Sequence, residues 1–207
     1  MTNVPLLDQL TQTLGKLPGL GPRSARRVLL HLLKKPESVL LPLINLLQTT
    51  AEQVKICEAC GNVSLSNPCP ICADQTRTHN IVCVVSEVED LWAIERGGSF
   101  KGVYQVLGGT LSALDGVRPE DLQINRLLHL VQQNQNPVTE VILALAATVD
   151  GQATSFYVAE QLQSVRTNLI VTRLSLGVPL GGELDYLDDG TLAMALQARQ
   201  NFGQNFG

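Results

Sequence analysis

A chain of 207 residues with 44% hydrophobic side chains can bury the core of one medium domain and a smaller one. No uncharged apolar run reaches the roughly 18 residues of a membrane span, and Met1–Asp8 lacks the basic start and apolar core of a secretion signal, so the expectation is a cytoplasmic protein. The formal net charge of −4 hides an asymmetry: Lys16, Arg23, Arg26, Arg27, Lys34 and Lys35 stand against Asp8 alone in residues 1–35, so this stretch carries +5 and the remainder −9. A basic arm that meets an anion, joined to an acidic body that meets something else, follows from that split.

Asn3 as cap and Pro5 in the first turn can start a helix whose leucines, Leu6, Leu7, Leu10, Leu14 and Leu17, recur at helical spacing on one buried face. Pro18 ends it, Gly19 and Gly21 permit a tight hairpin, and Pro22 opens a second helix whose Ala25, Val28, Leu29, Leu32 and Leu33 complete a core with Leu20. The free amides of the hairpin and helix start make an anion cradle, with Arg23, Arg26 and Arg27 beside it. This is the pattern of a helix-hairpin-helix, which grips phosphates without reading bases. A plain helical turn with a solvated basic face is the alternative; the proline-flanked Gly-x-Gly with three arginines favours DNA. Residues 37–55 read as one or two further helices restarting at Pro42. Leu40, Leu41, Leu43, Ile44, Leu46 and Leu47 are too apolar to face water throughout, so they belong to core or to a subunit interface.

Cys57-x-x-Cys60, eight residues, then Cys69-x-x-Cys72 is the spacing of a four-thiolate zinc site. Each pair offers two soft ligands from one turn, and four thiolates leave no open position, so such a site is structural. Two disulfides or a redox pair are the alternatives, and a doubled motif in a chain without a secretion signal favours zinc. Gly61 suits a turn that aims amides at sulfur.

From residue 80 the rhythm becomes strand–helix alternation. Strands are expected at 81–85, 102–107, 141–147 and 169–173, with helices at 90–95, from Pro119 and at 154–163. The fold class is therefore α/β, a mostly parallel sheet with helices on both faces, preceded by the helical arm and the four-cysteine module. Ligand sites in such sheets lie at strand carboxyl ends, here 86–90 and 148–152. Cys83 is a core hydrophobe, and His31, His79 and His129 show no ligand spacing. The glycines of residues 177–186 lack the Gly-Lys-Ser/Thr of a phosphate loop, and residues 201–207 read as a frayed tail.

The Leu-Pro-Gly-Leu-Gly-Pro hairpin, the four cysteines, the α/β stretch with Thr148-Val149-Asp150-Gly151, and Gly177-Val178-Pro179-Leu180-Gly181-Gly182-Glu183-Leu184-Asp185-Tyr186 occur in one order. Together they resemble the RecR family of bacterial recombination proteins over nearly the whole chain. The resemblance implies a helix-hairpin-helix arm over 1–55, a zinc finger over 56–79, a Toprim domain over 80–175 and a C-terminal segment over 176–207. It further implies a ring-like homotetramer that acts on gapped DNA with RecO and RecF proteins, in the cytoplasm and associated with the nucleoid.

Active Toprim relatives hold Mg²⁺ with a Glu after the first strand and Asp-x-Asp after a later one. Here Ser86 stands at the first position, Glu87 points to the opposite side of an extended backbone, and the later motif reads Asp150-Gly151-Gln152. The acid set falls short of what Mg²⁺ needs, so the expectation is a non-enzymatic DNA clamp rather than a phosphoryl-transfer enzyme or a pure protein adaptor. Glu87, Glu89 and Asp90 form either an acidic docking face with Asp150 or an ordinary solvated loop.

Overall fold

The computed structural model describes residues 4–133, 137–175, 177–179 and 181–198, and divides into two compact units, one ending at Val54 and the other starting at Lys55. No described helix is long and apolar enough to cross a membrane. The expected Asn3 cap and the tail at 201–207 lie outside the described residues.

The first unit is helical. Helix α1 spans Pro5–Leu14 and α2 spans Pro22–Lys34, each with its proline in the first turn, where a missing N–H costs nothing. Helix α1 stops earlier than Pro18 suggests: Gly15 caps it, donating its N–H to Thr11 O at 2.9 Å, and turns fill the interval to the hairpin. Gly19 takes φ +77°, a conformation glycine adopts without penalty. Ala25, Leu29 and Leu32 of α2 form the buried seam of the unit. The leucine face of α1 is shallower than expected, with Leu7 and Leu14 half-buried and Leu6, Leu10 and Leu17 exposed, and Leu33 of α2 is exposed as well. At 100° per residue Leu33 lies about 40° round the helix from Leu29 but about 100° from Leu32, at the edge of the seam. A π-helical segment, Pro36–Leu40, leads into α3, Leu41–Gln53, which restarts at Pro42 and buries no residue fully.

The second unit begins with a two-stranded antiparallel ribbon, β1 (Lys55–Ile56) with β2 (Val63–Ser64), followed by the short helix α4 (Pro70–Ala73). The sheet proper has four parallel strands in the order β4-β3-β5-β6: β3 Thr78–Val85, β4 Gly102–Val106, β5 Glu140–Leu143 and β6 Ile170–Arg173. Because side chains alternate across a strand, β3 divides its apolar residues between two cores. Val82 and Val84 pack with Leu127 and Val131 of α6 (Ile124–Gln132) and with Val158 and Leu162 of α7 (Val149–Val165). Cys83 and Val85 pack on the other face with Leu91 of α5 (Val88–Gly97). A parallel sheet covered on both sides is what the apolar runs demand.

Three boundaries of the second unit differ from expectation by four residues or more. Pro119 opens only a 3-10 turn, Pro119–Asp121, and α6 starts at Ile124. Strand β5 ends at Leu143 rather than Ala147. Helix α7 starts at Val149, not Thr154, since Thr148 caps it by accepting the Gly151 N–H at 3.1 Å. After β6 come a 3-10 turn, Leu184–Tyr186, and helix α8, Asp189–Gln197, capped by Asp188.

Candidate metal centre and nucleic-acid interface

Cys57 follows β1 and Cys60 lies in the turn to β2, while Cys69 immediately precedes α4 and Cys72 lies inside it. The four sulfurs lie within 4.8 Å of one another, and Cys60 and Cys69 approach to 3.6 Å. Tetrahedral bonds of about 2.3 Å would place sulfurs about 3.8 Å apart, so the cage fits a zinc ion. Cys57, Cys60 and Cys69 are buried and Cys72 half-buried, which leaves no side open for chemistry. Amides point at sulfur as a thiolate requires: Asn62 N–H donates to Cys60 Sγ at 3.4 Å and Cys69 N–H to Cys57 Sγ at 3.3 Å. Gly61 makes the first of these possible at φ +81°, and a Cβ there would sit 3.1 Å from Val106 Cβ.

The electrostatics carry the same message. A hydrogen bond from Cys72 holds the Cys60 thiol down to about 6 against the opposing effect of burial. The same bond, with burial and the nearby sulfur charge, pushes Cys72 up, and burial pushes Cys69 up. Four sulfurs this close cannot all carry charge by themselves; a dication is what lets them. Among the described residues this is the one cluster of three or more Cys, His, Asp or Glu side chains close enough to share an ion.

The knuckle is joined to the sheet rather than hung from it. Val106 N–H donates to Cys60 O at 2.8 Å, Trp92 Nε1–H donates to Asn62 Oδ1 at 3.1 Å, and Ile71 packs both against the cysteines and against the α5 core. Arg77, just before β3, adds a second tie: it meets Glu95 of α5 and donates to Gly102 O at 3.0 Å. Sequence reasoning missed this pair, whose members fall on separate elements with no local spacing to mark them. His79 is a structural residue, its Nε2 2.9 Å from Asp74 O.

In the first unit the hairpin leaves α2 without a side-chain cap, with Gly21 extended at the N-cap position (ψ 169°) and its carbonyl accepting the Ala25 N–H at 2.9 Å. Arg23, Arg26 and Arg27 are all exposed on α2, opposite the buried seam. Among the described residues none of them has a carboxylate within salt-bridge distance.

The sheet's carboxyl edge gathers the remaining candidates. Ser86, directly after β3, is buried with its Oγ lacking a partner among the described residues; buried Gln105 on neighbouring β4 likewise leaves its Oε1 without one. Glu87 is the N-cap of α5 and points outward, and Asp90 returns to accept the Glu87 N–H at 3.0 Å, forming a capping box. Glu89 is exposed in the same first turn. Asp150 lies in the first turn of α7, where its carbonyl accepts the hydroxyl of fully buried Thr154 at 2.6 Å. That hydroxyl in turn accepts the Leu111 N–H at 2.8 Å, which ties the loop after β4 to α7. The loop expected at 148–152 is thus the capped start of a helix, and Gln152 donates to Ala147 O at 3.3 Å.

Comparison with known families matches each part of the chain in order. A RecR helix-hairpin-helix family covers residues 7–51, a RecR four-cysteine zinc finger domain 54–74, a Toprim domain 80–175 and a RecR C-terminal family 177–200. The chain is 54% identical over 198 residues to a recombination protein RecR of Methylorubrum extorquens, covering 96% of each chain. It is 52% identical to a recombination protein RecR of Parvibaculum lavamentivorans over 96% of this chain and 98% of that one. A third, from Nitrobacter hamburgensis, is 52% identical over 96% of this chain and 97% of its own.

Proposed function

The chain belongs to the RecR family of recombination proteins, and from that premise we propose that it is a non-enzymatic DNA clamp of recombinational repair. The observation that carries this reading is the row of exposed, carboxylate-free cations at the helix-hairpin-helix: Arg23, Arg26 and Arg27 stand beside the open hairpin amides at Gly19 and Gly21. Amides and guanidiniums together hold phosphate oxygens and read no base. One zinc ion per chain, held by Cys57, Cys60, Cys69 and Cys72, cross-links the knuckle and adds no reactivity, since its four positions are taken. Val106, Trp92 and Asn62 then transmit that rigidity to the sheet.

The Toprim portion supports docking rather than phosphoryl transfer. Its first acidic position is a buried serine, its nearest glutamate is spent on capping α5, and the later motif keeps Asp150 alone. Glu87, Glu89, Asp90 and Asp150 then serve as an acidic face for a protein partner. Several weak arms gathered on a ring of four subunits would hold DNA by avidity, with RecO and RecF proteins as partners that direct it to gaps.

DNA affinity measured against salt tests the reading. The Arg23→Ala, Arg27→Ala double variant should weaken binding equally for unrelated sequences and flatten the salt slope by about 1–2 per arm. Unchanged affinity would remove the arm as the contact. Cleavage or joining of DNA with Mg²⁺ that disappears in Asp150→Asn would show an enzyme instead.

A further inference from the structure

The basic side chains of α2 do not stop at its first turn. At 100° per residue, Arg23, Arg26, Arg27, Leu30 and Lys34 share one side of the helix, and all five are exposed. Ala25, Leu29 and Leu32 occupy the other side, buried. Ser24, Arg27, Val28, Leu30, His31 and Lys34 line a shallow groove of about 590 Å³ down this surface. The helix holds no acidic residue to break the stripe, and among the described residues Lys34 has no carboxylate within salt-bridge distance.

This face has no structural role within its unit, because nothing among the unit's described residues covers it. Solubility alone does not need the cations aligned, and Lys35, next in sequence, is already off the helix as its C-cap, at φ −131°. An exposed leucine in the middle of the row (Leu30, 50% exposed) suits a ligand with an apolar strip between charges. A nucleic-acid backbone has that alternation, sugar between phosphates.

We infer that the DNA backbone lies along the whole of α2, with Lys34 and His31 as phosphate contacts at the far end and Leu30 against a deoxyribose. This rests on the arm being the DNA contact and adds its extent. From Arg23 to Lys34 the helix rises about 16 Å at 1.5 Å per residue. Along a backbone whose successive phosphates lie about 6–7 Å apart, that length takes in about three phosphates, where a hairpin-only contact from Arg23 to Arg27 would take in about two. The stripe makes each arm a track rather than a point, so binding tightens with DNA length over the first few nucleotides per arm.

The experiment is salt-dependent DNA binding by the full protein carrying Lys34→Ala, Lys35→Ala or Leu30→Ser, with Arg23→Ala, Arg27→Ala alongside. Lys34→Ala should lower the slope of log affinity on log salt by about 0.9 for each arm engaged on duplex DNA. Lys35→Ala removes the same charge off the stripe and should leave the slope unchanged. Leu30→Ser should weaken binding about 3-fold to 10-fold at unchanged slope, as loss of an apolar contact does. Equal effects of Lys34→Ala and Lys35→Ala would reduce the stripe to net charge and overturn the inference. If the arginine pair matters and Lys34 does not, the contact ends at the hairpin and only the track is lost. If neither matters, the arm itself is misread. Circular dichroism and assembly state, measured on each variant, keep a misfolded protein from posing as a weak binder.

Discussion

Arg77 and Glu95 meet through two hydrogen bonds, of 3.0 and 2.6 Å, although 18 residues separate them in the chain. Tyr104 donates to the same carboxylate at 2.7 Å. One glutamate thereby joins the exit of the zinc module, the edge strand β4 and α5. Burial alone would raise the Glu95 carboxyl, but the bonds from Arg77 and Tyr104 outweigh it and hold it below the usual range. Burial and the bond to Glu95 push Tyr104 up, so it stays a donor at any working pH.

Replacing Arg77 by Ala should therefore lower unfolding stability by about 2 kcal/mol, the worth of charge-assisted bonds whose partner is left half-buried. The sign with pH is fixed. A carboxyl depressed in the folded state contributes stability that is complete above its unfolded value of about 4.3 and is lost as pH falls through the folded one. Urea unfolding of the parent between pH 7 and 3 should show that loss, and Glu95→Gln should show less of it. Identical pH profiles for the two would rule the pair out as a stabilising contact.

Metal removal has a built-in reporter. Trp92 is the chain's one tryptophan, half-exposed and bonded to Asn62 beside the cysteine turn. Stripping zinc with a chelator, or Cys60→Ser, should loosen that turn, shift Trp92 emission and lower the melting temperature, because metal binding and local folding are one equilibrium. Acid should do the same as protons compete for the sulfurs. Emission and stability indifferent to chelation would mean that the knuckle holds itself together.

Gly151 inverts an ordinary expectation. Glycine inside a helix is usually improved by alanine, by about 1 kcal/mol. Here a Cβ would collide with the Ala146 carbonyl and sit 3.2 Å from Thr148 Oγ1, the cap of α7. Gly151→Ala should destabilise instead, by about 1–3 kcal/mol, and loosen the first turn where Asp150 sits. Thermal melts decide between the two signs.

What could be read beforehand divides by range. The metal site was legible because its ligands are chemically special and closely spaced, and the strands were legible because a buried parallel strand must be apolar throughout. The start of α7 was not, since Asp150-Gly151 looks like a loop until Thr148 is seen to cap it and Ala146 to press on it. The leucines of α1 gave a correct helix and an overstated core, because periodicity says which face is apolar and not how deeply it is covered. Ser86 and Gln105, buried without partners among the described residues, and the Arg77–Glu95–Tyr104 junction have no local signal at all. Each exists only once the sheet is assembled.

Helix α3 leaves an apolar face to be covered. Leu41, Leu43, Ile44, Leu46 and Leu47 are between 39% and 66% exposed within thirteen residues, while the same unit buries only Ala25, Leu29 and Leu32 among its described residues. Leu43, Leu46 and Leu47 fall on one side at i, i+3 and i+4 spacing, so they form a stripe and not a scatter. The proposed ring-shaped clamp assigns this stripe to a subunit contact, with a second copy of the chain as its occupant. The proposal has this energetic ground: an arm of net +5 on a body of −9 attaches weakly by itself and would gain from neighbours held close by. Leu46→Gln with Leu47→Gln keeps the charge and removes the apolar face. Sedimentation should show a smaller species for this variant, with DNA affinity falling by about 10-fold or more at concentrations where the parent is assembled. Raising the protein concentration should restore part of that affinity if assembly is the cause. A parent that sediments as a monomer while binding DNA at full affinity would exclude the clamp and leave a single helix-hairpin-helix binder.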